Sequence, residues 1–321
     1  MRKIIQSITL TFALLLFFLI SACGSTTSVT PVAATPTAPA PAETVIAEVE
    51  THLDKEAEEL VVDPEFALPD FSSAKFDNPT DITNQWFPLT PGTQQVFEGF
   101  SEQAGRKIPH SIIYYVTDLT KEIVGVRTVV VYILDYSDGQ LVEAEIAFYA
   151  QANDGTVWFM GEYPEVYEDG KLVEAPAWIP GYKGAQAGIV MKAYPQVGLP
   201  SYAQGWGPAV NWTDRGRVVA LGEQTCVPVG CYKDVLVIEE FSQSEPDAFQ
   251  VKYYAPGVGN ILVGWRGDDA SREELELVEL KLLSAEELAE VREAALALEA
   301  NAYGISKEVY DQTTSIEYES P

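Results

Sequence analysis

Along residues 126–178, apolar, β-branched and aromatic runs are separated by three Asp-Gly pairs: Asp138-Gly139, Asp154-Gly155 and Asp169-Gly170. Asp-Gly accepts the positive φ angles of a two-residue type I′ turn, whose twist matches that of paired strands. Between the first two turns the pattern alternates. Val142, Ala144, Ile146 and Phe148 fall on one face, and Glu143, Glu145 and Ala147 on the other. This predicts an antiparallel meander with one buried and one wet face. A slip of one residue would bury Glu143 and Glu145, so the register is strongly specified.

The same reading places strands at 93–99, 110–117 and 126–136, and an aromatic strand carrying Trp158, Phe159 and Tyr163. Later strands are expected at 217–221, 232–241, 249–254, 260–265 and 274–283, with Pro256-Gly257 forming a type II turn. Ser284 followed by Glu287 has capping-box spacing. Leu288, Val291, Ala295 and Leu298 then make one apolar stripe, predicting a helix over 285–300 that 303–310 can continue. That stripe must cover apolar sheet surface, such as one mouth of a curved sheet. The expected fold is mainly β: a single large antiparallel meander, as a curved sheet or half-barrel, with a C-terminal α-helix packed on it.

The tract 181–207 breaks the pattern. Gly181, Gly184, Gly188, Gly198, Gly205 and Gly207, with Pro195 and Pro200, deny it a long regular element. It reads either as a connector or as a binding loop, and it lacks the spacing of a phosphate cradle.

At 321 residues and 47% hydrophobic, the chain can bury a full-sized core. Its net charge of -28 repels phosphate backbones, which argues against nucleic-acid partners. The acidic residues are dispersed rather than set in a calcium-loop spacing, so no metal site is expected, and no cofactor signature occurs. Only His52 and His110 are present, which makes a His-centred triad or zinc site improbable. Cys226 and Cys231 bracket Val227-Pro228-Val229-Gly230 between strand-like runs and read as a disulfide closing a hairpin.

The N-terminus has the parts of an export signal. Arg2 and Lys3 precede an apolar run over 8–20, too short for a stable membrane span, and Ile20-Ser21-Ala22-Cys23 closes it. These four residues resemble a bacterial lipobox, and the resemblance implies cleavage before Cys23 and lipid on that residue, anchoring the protein in the cell envelope. The Ser/Thr/Pro/Ala-rich stretch 24–43 behaves as an extended tether. Residues 44–60 read either as a short helix or as a solvated acidic linker. The expected organisation is a signal peptide over 1–22, a tether over 23–70, a β domain over 71–283, and a helix with a frayed tail over 284–321.

Trp86-Phe87-Pro88-Leu89 with Pro91-Gly92-Thr93, the central meander, and Tyr253-Tyr254-Ala255-Pro256-Gly257-Val258-Gly259 resemble a family of uncharacterised exported bacterial proteins. The likeness runs over about 76–310 and carries no activity with it. The stretch from Gly184 to Met191 also looks like that family's loop. The Tyr-Ala-Pro-Gly-Val-Gly ending is similar to one in periplasmic half-barrels of the lipoprotein-carrier kind, which implies an apolar or lipid ligand. Candidate ligand-lining residues are Trp158, Tyr163, Gln186, Met191, Trp206 and Trp212. One alternative is a cell-surface structural or interaction module with an envelope protein partner. Another is a carbohydrate-active hydrolase built on Glu143 and Glu145, whose Cα atoms a strand holds about 6.8 Å apart.

Overall fold

Tight turns set the topology. In the computed structural model, which describes residues 67–318, the first five strands are β1 (Thr93–Gln103), β2 (Arg106–Ile123), β3 (Val126–Ser137), β4 (Gln140–Gln151) and β5 (Val157–Glu168). Asp138-Gly139 and Asp169-Gly170 adopt paired positive φ angles (50° and 74°, 49° and 71°), as the turn chemistry predicts. Ala104-Gly105 and Val124-Gly125 do the same without an Asp, extending the first three strands beyond their expected ends. Asp154-Gly155 departs from expectation. It sits in a wider loop between Gln151 and Val157, where the Asp154 carboxylate accepts the Thr156 amide at 2.9 Å.

The chain continues through β6 (Lys171–Glu174), β7 (Gln186–Met191), β8 (Tyr202–Ala203), β9 (Gly205–Trp206), β10 (Asp214–Val227), β11 (Gly230–Ser242), β12 (Ala248–Ala255), β13 (Gly259–Gly267) and β14 (Glu274–Leu282). Helices α1 (Ala285–Ile305) and α2 (Lys307–Tyr310) and the short β15 (Glu317–Tyr318) complete it. Strand order is β8-β10-β11-β12-β13-β14-β1-β2-β3-β4-β5-β7-β9, with β6 on β5 and β15 on β2. Because β8 and β9 belong to one short segment, the two ends of this order meet. Tyr202 pairs with Gly216 on β10, and Gly205 pairs with Ala187 on β7. The result is a nearly closed antiparallel barrel, which leaves little exposed edge for other chains to pair with.

The glycine-rich tract is therefore the seam of the barrel. A Cβ on Gly188 would lie 2.1 Å from the Gly205 nitrogen, and one on Gly205 would lie 2.5 Å from the Trp178 ring. Backbones approach there as only glycine permits.

Closure changes the meaning of the two sheet faces. Ile146, Phe148, Trp158, Met160 and Tyr163 face outward and are buried beneath Ala295, Leu298 and Ala302 of α1, with Val309 and Tyr310 of α2. Ile133, Ala147, Tyr149 and Phe159 face the lumen with Phe97, Ile238 and Leu277 from the other strands. The helix, capped by Ser284 and Glu287 as expected, thus covers the outer wall rather than a mouth. The expected wet face of β4 is the lumenal one, and Glu143 and Glu145 are buried in it. The tail expected to fray is ordered through Tyr318: Glu317 and Tyr318 pair with Thr120 and Leu119, and the Ile316 amide donates to Glu299. Cys226 and Cys231 are register partners on β10 and β11 and form a disulfide, S–S 2.08 Å. Closing so small a loop removes unfolded-state entropy worth about 2 kcal/mol.

The signal segment, Cys23, His52 and the stretch 44–60 lie outside the described residues. No helix among the described residues is long and apolar enough to cross a membrane.

Candidate functional site

The segment before β1 crosses one end of the barrel. Ile82 joins the lumenal core, with Trp86, Phe87 and Leu89 packed against it. The Asn84 amide group donates to the Gly155 carbonyl at 2.9 Å, Trp86 Nε1 to Asp234 O at 3.4 Å, and the Gly257 amide to Gln85 O at 2.7 Å. These anchors come from the β4–β5 loop, the start of β11 and the β12–β13 turn, so the segment spans the opening as a cap. The Trp-Phe-Pro-Leu run of the sequence is its centre, with the Phe87 ring 5.3 Å from that of Tyr149.

Below the cap lies a cavity of about 150 Å³. Its apolar walls are Phe97, Val116, Val131, Tyr149, Phe159 and Trp212. Tyr149 and Phe159 stack at 5.0 Å, and Trp212 meets Phe159 edge-on at 5.4 Å. Farther from the cap the lining turns acidic, with Glu145, Glu162, Asp214 and Glu240.

Glu162 reaches the lumen through a local irregularity. Opposite Tyr149 stands Phe159 and opposite Ala147 stands Glu162, so β5 spends one extra residue there. Gly161, at φ 105°, takes up the bend against the Trp178 carbonyl. Glu145 lies within hydrogen-bonding reach of both Glu143 and Glu162. Burial pushes all three carboxyls above the usual range, and mutual repulsion with Glu162 and Glu143 adds to the rise at Glu145. Such a group holds protons that isolated carboxylates would have lost.

The far end of the lumen carries His110. Its Nε2 lies 2.6 Å from Asp135 Oδ1 and its Nδ1 lies 2.8 Å from Glu273 Oε1. Burial opposes charge on this ring, yet the hydrogen bonds and attraction of Asp135 and Glu273 prevail and raise it to about 10. Burial also pushes the Asp135 carboxyl up, which alone would favour a neutral pair. The ring hydrogen-bonds Asp135 through Nε2, and the Glu273 carboxyl beside Nδ1 adds an ion-pair attraction, so the two carboxyls together favour the imidazolium. Glu273 also accepts from Gln250 Nε2 at 2.5 Å. No group of three or more His, Cys, Asp or Glu among the described residues is arranged to hold a metal ion.

Of the six residues singled out from the sequence, Trp212 lines the cavity and Met191 is fully buried in the same lumenal core. Trp158 and Tyr163 are on the outer wall instead, packed against Phe71 at 5.1 Å and Tyr310 at 5.3 Å. Gln186 is exposed on β7 opposite the half-buried Trp206. Sequence reasoning missed Phe97, Tyr149, Glu162 and the cap as cavity components. A signal was present: a meander with this many strands curls until one face becomes an interior.

No protein-family model matches the chain, and no curated protein matches it. Among solved structures, it is similar to a Bacteroides fragilis protein described as exported and of YmcC-like fold, at 13% identity and a TM-score of 0.37, covering 62% of this chain and 99% of that one. It is also similar to a Parabacteroides distasonis protein described as a lipoprotein, at 14% identity and a TM-score of 0.34, with the same coverage of 62% and 99%. The overlap with both is loose, and the barrel stands on its own strand pairings.

Proposed function

We propose that the protein is exported, is held to a membrane of the cell envelope by lipid on Cys23, and binds an apolar ligand in its barrel without transforming it. The observation that carries the binding reading is the cavity of about 150 Å³ between Phe97, Tyr149, Phe159 and Trp212, beneath the cap. Apolar cavities of that volume accept a benzene-sized guest. The ligand is therefore a small apolar molecule, or one end of a lipid-like chain seated inside the wall. Anchoring rests on the Ile20-Ser21-Ala22-Cys23 sequence and the tract 24–43, which supplies a spacer between bilayer and barrel.

Native mass spectrometry of protein purified without detergent tests the binding reading. The expected result is an extra mass that organic solvent extracts. A bare mass, with no uptake of added apolar compounds, would point instead to a surface structural or interaction module. Anchoring is tested separately by Cys23→Ala, which should abolish lipid labelling and release the protein from membranes. A variant that remains membrane-bound with unchanged mass contradicts it.

A further inference from the structure

The loop between β7 and β8 turns large apolar side chains outward. Tyr194 is 79% exposed, Val197 56% and Leu199 43%. Single exposed apolar residues are ordinary, but a cluster of them on one loop marks a contact surface. Its surroundings are nearly free of charge. In a chain that is 21% charged, Lys192 is the only Asp, Glu, Lys or Arg from 184 to 213. Two contacts place the loop in the fold. Asn84 Nδ2, in the cap, donates to the Lys192 carbonyl at 3.3 Å as well as to Gly155, so the loop leaves β7 at the capped mouth of the barrel. At its other end the fully buried Arg215 donates through Nε to Ser201 Oγ at 2.7 Å, and through Nη2 to Ser201 O at 3.0 Å and Ala67 O at 3.4 Å. One guanidinium thus ties the end of the apolar loop to the residue where the tether joins the barrel.

Resting on the reading that lipid on Cys23 anchors the chain, we infer that the loop over 193–200 dips into the bilayer surface through Tyr194, Val197 and Leu199, as a second membrane contact. The tether holds the barrel by the corner that carries this loop, so these side chains meet the bilayer at high effective concentration and a weak affinity suffices. Tyrosine suits the headgroup level, and aliphatic side chains suit the acyl boundary beneath it. The net charge of -28 disfavours anionic lipid and a second copy of the chain alike, so the surface that fits is zwitterionic. Docking in this way turns the capped mouth, and the cavity beneath it, toward the bilayer.

Spin labelling of the mature, lipidated chain on phosphatidylcholine vesicles tests the inference. With Cys23 acylated and Cys226 bonded to Cys231, a nitroxide is placed at Val197→Cys, or for reference at Val173→Cys. Val173 is exposed on β6, which pairs with the opposite end of β5 from β7. The Val197 label should lose accessibility to an aqueous nickel chelate and gain it to oxygen, while the Val173 label stays in water. Tyr194→Ser with Leu199→Ser should return the Val197 label to water. If both labels stay in water on vesicles with which the protein floats, the loop inference fails and anchoring stands. If the protein does not float and the Val197 label stays in water among added vesicles, both fail. Burial of that label in a chain found to carry no lipid supports the loop and overturns the anchor. Shielding that appears only at high protein density marks contact between copies and overturns the inference. Should the double Ser variant not fold, the two labels on the otherwise unaltered chain decide alone.

Discussion

The fully buried Lys121 ammonium lies 2.7 Å from Glu299 Oε1, joining β2 to α1 through a charge pair sealed from water. Lys121 also donates to the Thr314 carbonyl at 2.5 Å, and Glu299 accepts the Ile316 amide with both oxygens at 3.0 Å. One pair thus fixes strand, helix and tail together. Removing one partner strands the other charge, so Glu299→Gln should cost about 3 kcal/mol in urea denaturation. Lys121→Met with Glu299→Leu should recover a substantial part of it. Losses that simply add would show that the two side chains act independently.

Stability should fall as pH rises from about 5 to 10. His110 is raised to about 10, so its contribution is complete below the unfolded imidazole value near 6.5 and is lost as pH climbs through the folded one. Glu143, Glu145 and Glu162 are raised as well, so the folded chain binds more protons than the unfolded chain above the usual carboxyl range, and stability again declines with pH. Denaturation midpoints at several pH values check this. Glu145→Gln should flatten the lower part of the slope and His110→Gln the upper part; a midpoint that rises from pH 5 to 9 contradicts the assignment.

Val124 holds φ 44° in the β2–β3 turn and is half-exposed. A β-branched residue is poorly suited to the left-handed region, and Asn tolerates it. Val124→Asn should therefore stabilise the protein by about 1 kcal/mol, read from the thermal midpoint.

Gly188→Ala places a methyl group against the Gly205 backbone at the seam. Overpacking of this kind costs about 3 kcal/mol. Amide hydrogen exchange should show the loss of protection first in β7 to β9, where the barrel closes. Uniform loss over all strands would mean that the seam is not a separate point of opening.

Val131→Phe adds volume to the cavity wall on β3. It should weaken uptake of phenethyl alcohol by about tenfold or more, with little change in far-ultraviolet circular dichroism. Unchanged uptake would place the ligand elsewhere.

Much of the strand framework was legible in the sequence because turn chemistry and period-two alternation are local properties. Asp138-Gly139 and Asp169-Gly170 behave as their residues dictate. The Cys226–Cys231 pairing followed from close spacing between two strand-like runs. What was hidden depends on closure. Alternation shows that Glu143 and Phe148 oppose each other across β4, yet it does not say which side is water. With α1 outside and the barrel closed, neither is. Glu162 was harder still, since the extra residue at Gly161 breaks alternation and turns that carboxyl inward. The aromatic residues Trp158 and Tyr163 looked suited to a ligand surface, but the C-terminal helices and the Phe71 segment claim them for packing. The glycine tract looked like a loop because its strands are only long enough to close the ring.

The most direct test of the central claim is a crystal of the protein pressurised with xenon, an apolar probe whose anomalous signal marks dry cavities. The expected result is one strong peak inside the barrel, between Phe97, Tyr149, Phe159 and Trp212. A lumen without xenon, its side chains collapsed onto one another while peaks form only elsewhere, would contradict it.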